Sequence, residues 1–164
     1  MRMLDLVTYP DPRLNAQSEP ADPDEVRDLV GAMFETMYAE EGIGLAAVQV
    51  GRPLRVFITK VRDDRERVYI NPEIVETSIE EDTAEEGCLS IPDVRADVTR
   101  PARVGVQATN LKGRTFRLNA QGLLARAIQH ELDHLNGRLF IDHLDERERE
   151  ALLADYAGSP RRER

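Results

Sequence analysis

The chain has 164 residues, enough for one domain with a real hydrophobic core, and its composition is ordinary for a folded soluble protein, 41% apolar and 32% charged. Thirty-one acids against 22 bases give a net charge of −9, which excludes a nucleic-acid backbone as the expected partner. No apolar run approaches a membrane span, the N-terminus is too short in apolar residues for a secretory signal, and the single cysteine, Cys88, excludes an intrachain disulfide, so a reducing, cytoplasmic setting is expected.

Residues 1–20 hold three prolines and little periodicity and read as an extended arm. Asp22-Pro23-Asp24-Glu25 is a helix start, with an Asp cap, Pro in the first turn and Glu at the third position. Val26, Leu29, Val30, Met33, Phe34 and Met37 then recur at helical spacing, so an amphipathic helix runs to about Glu40. Gly42-Ile43-Gly44 breaks it. Leu54 to Ile58 and Val68 to Ile70 read as strands, the second stopped by Asn71-Pro72, with Ile74 and Val75 continuing after it. Ile79 to Glu86 carries five carboxylates in eight residues and reads as a surface loop. Val104, Val106 and Ala108 alternate, as do Phe116 and Leu118, and Lys112-Gly113 between them makes a hairpin.

From about Ala120 the period is helical again through Leu123, Leu124, Ala127, Ile128 and Leu135, ending at Gly137. Asp145 and Glu148 cap a last short helix that closes near Gly158, ahead of a basic tail at Arg161, Arg162 and Arg164. The strands cluster before helices rather than alternating with them. The expected class is α+β, with small antiparallel or mixed sheets packed around the helix that carries the histidines, in a single domain over 1–164.

The chemistry concentrates in three segments. His130-Glu131-Leu132-Asp133-His134 stacks two imidazoles on one face of a helix, and Glu131 beside them reaches a water without itself ligating. The bland reading is two polar surface histidines. A catalytic cation site wants a third protein ligand and an open position, and Cys88, His143 or a distant acid each qualify; spacing alone does not choose. A lone cysteine is more often a small buried hydrophobe, and His143 suits a core edge. Gly42 to Gln49 has neither the Lys-Ser/Thr nor the preceding strand of a phosphate loop. It suits backbone pairing with an extended peptide, with Gln49 able to donate to an oxyanion.

Together, Gly42-Ile43-Gly44-Leu45-Ala46-Ala47-Val48-Gln49, Glu86-Gly87-Cys88-Leu89-Ser90 and Gln129-His130-Glu131-Leu132-Asp133-His134-Leu135 resemble the three signature motifs of the peptide deformylases, complete and in order. Ile91-Pro92 after the cysteine is similar to the bacterial type. The resemblance implies metal-dependent removal of the formyl group from N-formylmethionyl nascent peptides, by a cytoplasmic enzyme that is a monomer and meets the ribosome transiently. It implies Cys88, His130 and His134 as ligands of one divalent ion, natively ferrous iron, with zinc, nickel or cobalt able to substitute. Gln49 and the Leu89 amide become oxyanion donors and Glu131 the general acid/base. Gly44 and Gly87 pair with the peptide, Ile43, Leu123, Ala127 and His130 line the methionine pocket with Glu86 at its edge, and Arg95 meets the substrate further along. Arg126 replaces an aliphatic residue of many relatives, its stem covering the pocket and its head reaching solvent. After Leu144 only 20 residues remain, fewer than in relatives with a long terminal helix. The alternatives are a general metallopeptidase or amidase, and a deformylase-like fold that binds peptide or metal without catalysis.

Overall fold

A computed structural model describes residues 3–158. Helix α1 (Pro23–Ala39) is followed by strands β1 (Gly44–Ala46), β2 (Val56–Thr59), β3 (Arg67–Thr77), β4 (Glu81–Cys88), β5 (Ile91–Pro101), β6 (Arg103–Thr109) and β7 (Thr115–Gln121). Helices α2 (Gly122–Leu135) and α3 (Glu146–Gly158) close the chain. Strands β1-β2-β3-β6-β7 form a five-stranded antiparallel sheet, and β4-β5 a separate hairpin sheet. The architecture is the expected α+β.

Strand alternation decides where the two long helices sit. In β2, Val56 and Ile58 face the apolar stripe of α1 (Val26, Leu29, Val30, Met33, Met37), while Phe57 faces the other way. There Phe57 joins Tyr69, Val104 and Val106 against Ala125, Ile128 and Leu135 of α2. The large sheet is therefore covered on both faces, and α2 is held against it by its own buried stripe. A third cluster packs Ile91, Val94, Ala96 and Val98 of β5 onto Val7 and Leu14 of the arm and Leu139, Phe140 and Ile141 after α2.

Local signals behave as their chemistry requires. The Glu25 carboxylate accepts the Asp22 backbone N–H at 3.0 Å. In the β6–β7 hairpin Asn110 Oδ1 accepts from the amides of Lys112 and Arg114, and Gly113 takes a positive φ of 79°. The Asp145 carboxylate accepts the Glu148 amide at 2.8 Å, opening α3.

Three expectations are corrected, and one strand was not foreseen. The acidic stretch read as a surface loop is strand β4: its side chains up to Glu85 are exposed because the hairpin edge faces water, so composition reported exposure and not backbone. Strand β3 does not stop at Asn71-Pro72; it runs to Thr77 through a register slip between Ile70 and Glu73, which accommodates a proline without an N–H. Strand β5 had no counterpart in the sequence reading. Helix α2 starts at Gly122, since Ala120 and Gln121 still pair with Val104 and Arg103 at the end of β7.

The N-terminal arm is a strap rather than a strand. Its Val7 and Tyr9 amides donate to the carbonyls of Gln49 and Ser90 at 2.7 and 2.8 Å, and the Ser18 amide donates to Leu135 at 2.9 Å. The arm thus ties the ends of all three motif segments. The basic residues Arg161, Arg162 and Arg164 lie outside the described residues. Among those described, no helix is long and apolar enough to cross a membrane.

Candidate active site

Three elements meet at one cleft of about 590 Å³. Helix α2 projects His130 and His134 from successive turns, their ring centroids 5.1 Å apart. The tight turn joining β4 to β5 presents Cys88, where the register slips between Gly87 and Cys88. A short 3-10 turn at Ala47–Val50, directly after β1, presents Gln49.

The ligand atoms of Cys88, His130 and His134 lie within 4.8 Å of one another. Cys88 Sγ is 3.4 Å from His134 Nε2. A sulfur and a nitrogen bound to one tetrahedral ion, at about 2.3 and 2.1 Å, would be separated by about 3.6 Å. The donor set therefore fits a single cation with little movement. A thiolate with two imidazoles suits zinc, iron, nickel or cobalt alike. His143 is not in that group: its Nε2 sits 2.8 Å from Asp133 Oδ2, and among the described residues Cys88 is the third donor that could share an ion with His130 and His134.

His130 is oriented from behind. Its Nδ1 lies 2.9 Å from Glu86 Oε1, and the same carboxylate receives Nε and Nη2 of Arg100 at 2.6 and 3.0 Å and Nη1 of Arg126 at 2.7 Å. Burial alone would raise the Glu86 carboxyl, but the bonds to His130 and Arg100 override it and hold the group well below the usual carboxylate range. An ionised carboxylate only accepts, so His130 donates Nδ1–H and keeps Nε2 for the cleft. At His134, burial and the neighbouring His130 lower the pKa well below the ordinary value, which keeps its imidazole neutral.

Glu131 is buried, and its Oε1 has no hydrogen-bond partner among the described residues. Burial, opposed by His130 and helped by Glu86, pushes its carboxyl up to about 7. Gly44 makes room for it: a Cβ there would fall 2.7 Å from Glu131 Oε2. Gln49 is fixed at both ends. Its Oε1 accepts the Ala46 amide at 2.9 Å, and its Nε2 donates to Ser90 Oγ at 3.1 Å and lies 3.6 Å from Cys88 Sγ. One N–H of that amide group is thus directed at the cation site. Leu89 follows Cys88 in the turn, its side chain packed where Gly42 leaves space.

Ile43, Gly44, Gln49, Glu86, Gly87, Cys88, Leu89, Arg95, Leu123, Arg126, Ala127, His130 and Glu131 all line the cleft, and His134 is buried behind it. Ile43 and Leu123 are its exposed apolar rim. Arg95 sits opposite Gly87 in the β4–β5 ladder and pairs with Glu85 at 3.0 Å.

One expectation is corrected, that the Arg126 head reaches solvent. Glu86 lines the cleft and is buried at the centre of an ionic network. The Arg126 head does not reach solvent: besides Glu86 it donates to the carbonyls of Val98 and Asp82 at 2.8 and 2.9 Å. Asp133 bonds neither ligand histidine; it takes Arg100 at 3.1 Å and His143. Arg100 itself was missed. Its signal lay in the alternation of Val94, Ala96 and Val98, which puts an arginine on the buried side of β5.

Compared with known proteins, the sequence matches the model of the polypeptide deformylase family over residues 3–150. It is 46% identical over 148 residues to a peptide deformylase of Acinetobacter baumannii, covering 88% of this chain and 84% of that one. It is 43% identical to a peptide deformylase of Nitrobacter hamburgensis, covering 95% of each. Among solved structures, the peptide deformylase of Ehrlichia chaffeensis in complex with actinonin superposes with a TM-score of 0.94 at 40% identity, over 99% of this chain and 100% of that one. That of Legionella pneumophila gives 0.90 at 37% identity, over 95% and 94%.

Proposed function

The chain belongs to the polypeptide deformylase family, metal-dependent hydrolases of formylated peptides, and from that premise we propose how its own residues divide the work. Cys88, His130 and His134 hold one divalent cation, natively ferrous iron. The observation that supports this most is the 3.4 Å approach of Cys88 Sγ to His134 Nε2 beside a buried carboxylate with an unpaired oxygen. When bound, such a cation supplies Lewis-acid charge and brings a water toward neutral pKa.

Glu131 takes the proton of the attacking water on its free carboxylate oxygen and returns it to the departing amine of methionine. The directed N–H of Gln49 and the Leu89 backbone amide donate to the oxygen that gains charge on the formyl carbon. Gly44 at the free edge of β1 and Gly87 on β4 offer main-chain groups to the extended peptide, with Arg95 beyond them. Ile43, Leu123, Arg126 and Ala127 surround the first side chain. Formate and a peptide with a free N-terminal methionine leave.

A reducing cytoplasmic setting, a monomeric state and passing contact with the ribosome belong to the same proposal. Anaerobic purification, metal analysis and parallel assays on formyl-Met-Ala-Ser and Met-Ala-Ser test it. The expected result is one metal per chain and formate release from the formylated peptide alone. Cleavage of the unformylated peptide would point to a general peptidase.

A further inference from the structure

Arg126 lines the cleft beside Ile43, Leu123 and Ala127, one turn of α2 before His130. Its guanidinium cannot swing away. Nη1 is engaged by Glu86 Oε2 at 2.7 Å and the Val98 carbonyl at 2.8 Å, and Nη2 by the Asp82 carbonyl at 2.9 Å. Two of these anchors are main-chain carbonyls, one on each strand of the β4–β5 hairpin, so the cation is fixed to the sheet. A guanidinium carries five N–H donors. Three are used here, and Nε–H with the second hydrogen of Nη2 have no partner among the described residues. The lining of the cleft therefore includes, beside the apolar Ile43, Leu123 and Ala127, an immobile cation with donors to spare.

A thioether is a weak acceptor and gains little from such donors. A sulfoxide has the length of methionine and adds one strongly accepting oxygen. We propose that Arg126 is a specificity-determining residue that extends this enzyme's substrates to formyl peptides whose first side chain ends in a hydrogen-bond acceptor, N-formylmethionine sulfoxide above all. The reaction is the same amide hydrolysis, and the sulfur keeps its oxidation state. The inference rests on the reading of this cleft as a formyl-peptide site.

The test compares formyl-Met-Ala-Ser, its norleucine analogue and formyl-methionine-sulfoxide-Ala-Ser on the wild-type enzyme and on Arg126→Met, with each variant's ratios as the readout so that losses of folding or metal cancel. Expected are wild-type kcat/KM values for the sulfoxide at least equal to those for norleucine. In Arg126→Met the sulfoxide should fall by about tenfold or more beyond any fall on the other two substrates, the worth of one charge-assisted hydrogen bond. A uniform loss on all three substrates marks Arg126 as a structural strap and overturns the proposal. So does a wild-type enzyme that turns over the sulfoxide far more slowly than norleucine, a result needing no variant. Absence of turnover on every formyl substrate refutes the reading of the cleft itself, and the proposal falls with it.

Discussion

Replacing Arg100 with methionine should cost this protein more than any exposed ion pair would. The Arg100 side chain is 4% exposed and carries three ionic contacts, two to Glu86 and one to Asp133. Removing one partner of a buried pair typically costs about 3–5 kcal/mol, because the other charge stays buried and under-compensated. Glu86 retains Arg126 and His130, and Asp133 retains His143, so the low end, about 3 kcal/mol, applies. For a chain of this size that is a fall in Tm of roughly 6–12 °C. Because Glu86 orients His130, metal affinity should weaken as well, by about 10–100-fold. The assay is thermal unfolding of the metal-free protein followed by circular dichroism, with metal titration on the same sample. Glu86→Gln and the double variant complete a cycle, and their destabilisations should be non-additive by about 0.5–3 kcal/mol. A Tm within 2 °C of the parent, by the same conversion less than about 1 kcal/mol, would refute the claim that this network holds the site together.

Four further outcomes are expected. In Glu86→Gln the stability deficit should shrink as the pH falls below 4.5, the ordinary value for this carboxyl. The sign follows from a depressed folded pKa, whose contribution is full above the unfolded value and lost on protonation, and denaturant titrations from pH 7 to 3 read it. Glu131→Ala should keep its metal and lose about 10²–10⁴ in turnover; formyl-Met-Ala-Ser hydrolysis near the parent rate would remove Glu131 from the mechanism. Cys88→Ser should change metal content or the preferred ion, and unchanged values in elemental analysis would count against ligation. Gly44→Ala places a Cβ 2.7 Å from Glu131 Oε2, so kcat should fall by about tenfold or more with metal retained, and an unaltered kcat would show that Glu131 tolerates the shift.

The sequence by itself determined what lies within one helix or one turn. His130 and His134 share a face of α2, with Glu131 beside the first, because helical spacing alone puts them there, and the Asp22, Asp145 and Gly113 signals act over a few residues. The two covered faces of the large sheet follow from alternation in β2 and the stripe of α1. Spacing left the third donor open between Cys88, His143 and a distant acid. The fold brings Cys88 to the histidine pair, by folding the β4–β5 turn onto α2 so that residues 46 apart stand 3.4 Å from each other. The same holds for Glu86, Arg100 and Arg126, which come from two strands and a helix and meet because their charges, once buried, must find partners. Strand β4 was misread for a related reason. Its backbone is paired while its carboxylates face water, and composition records which side chains are solvated but not which N–H and C=O groups have found each other across a hairpin.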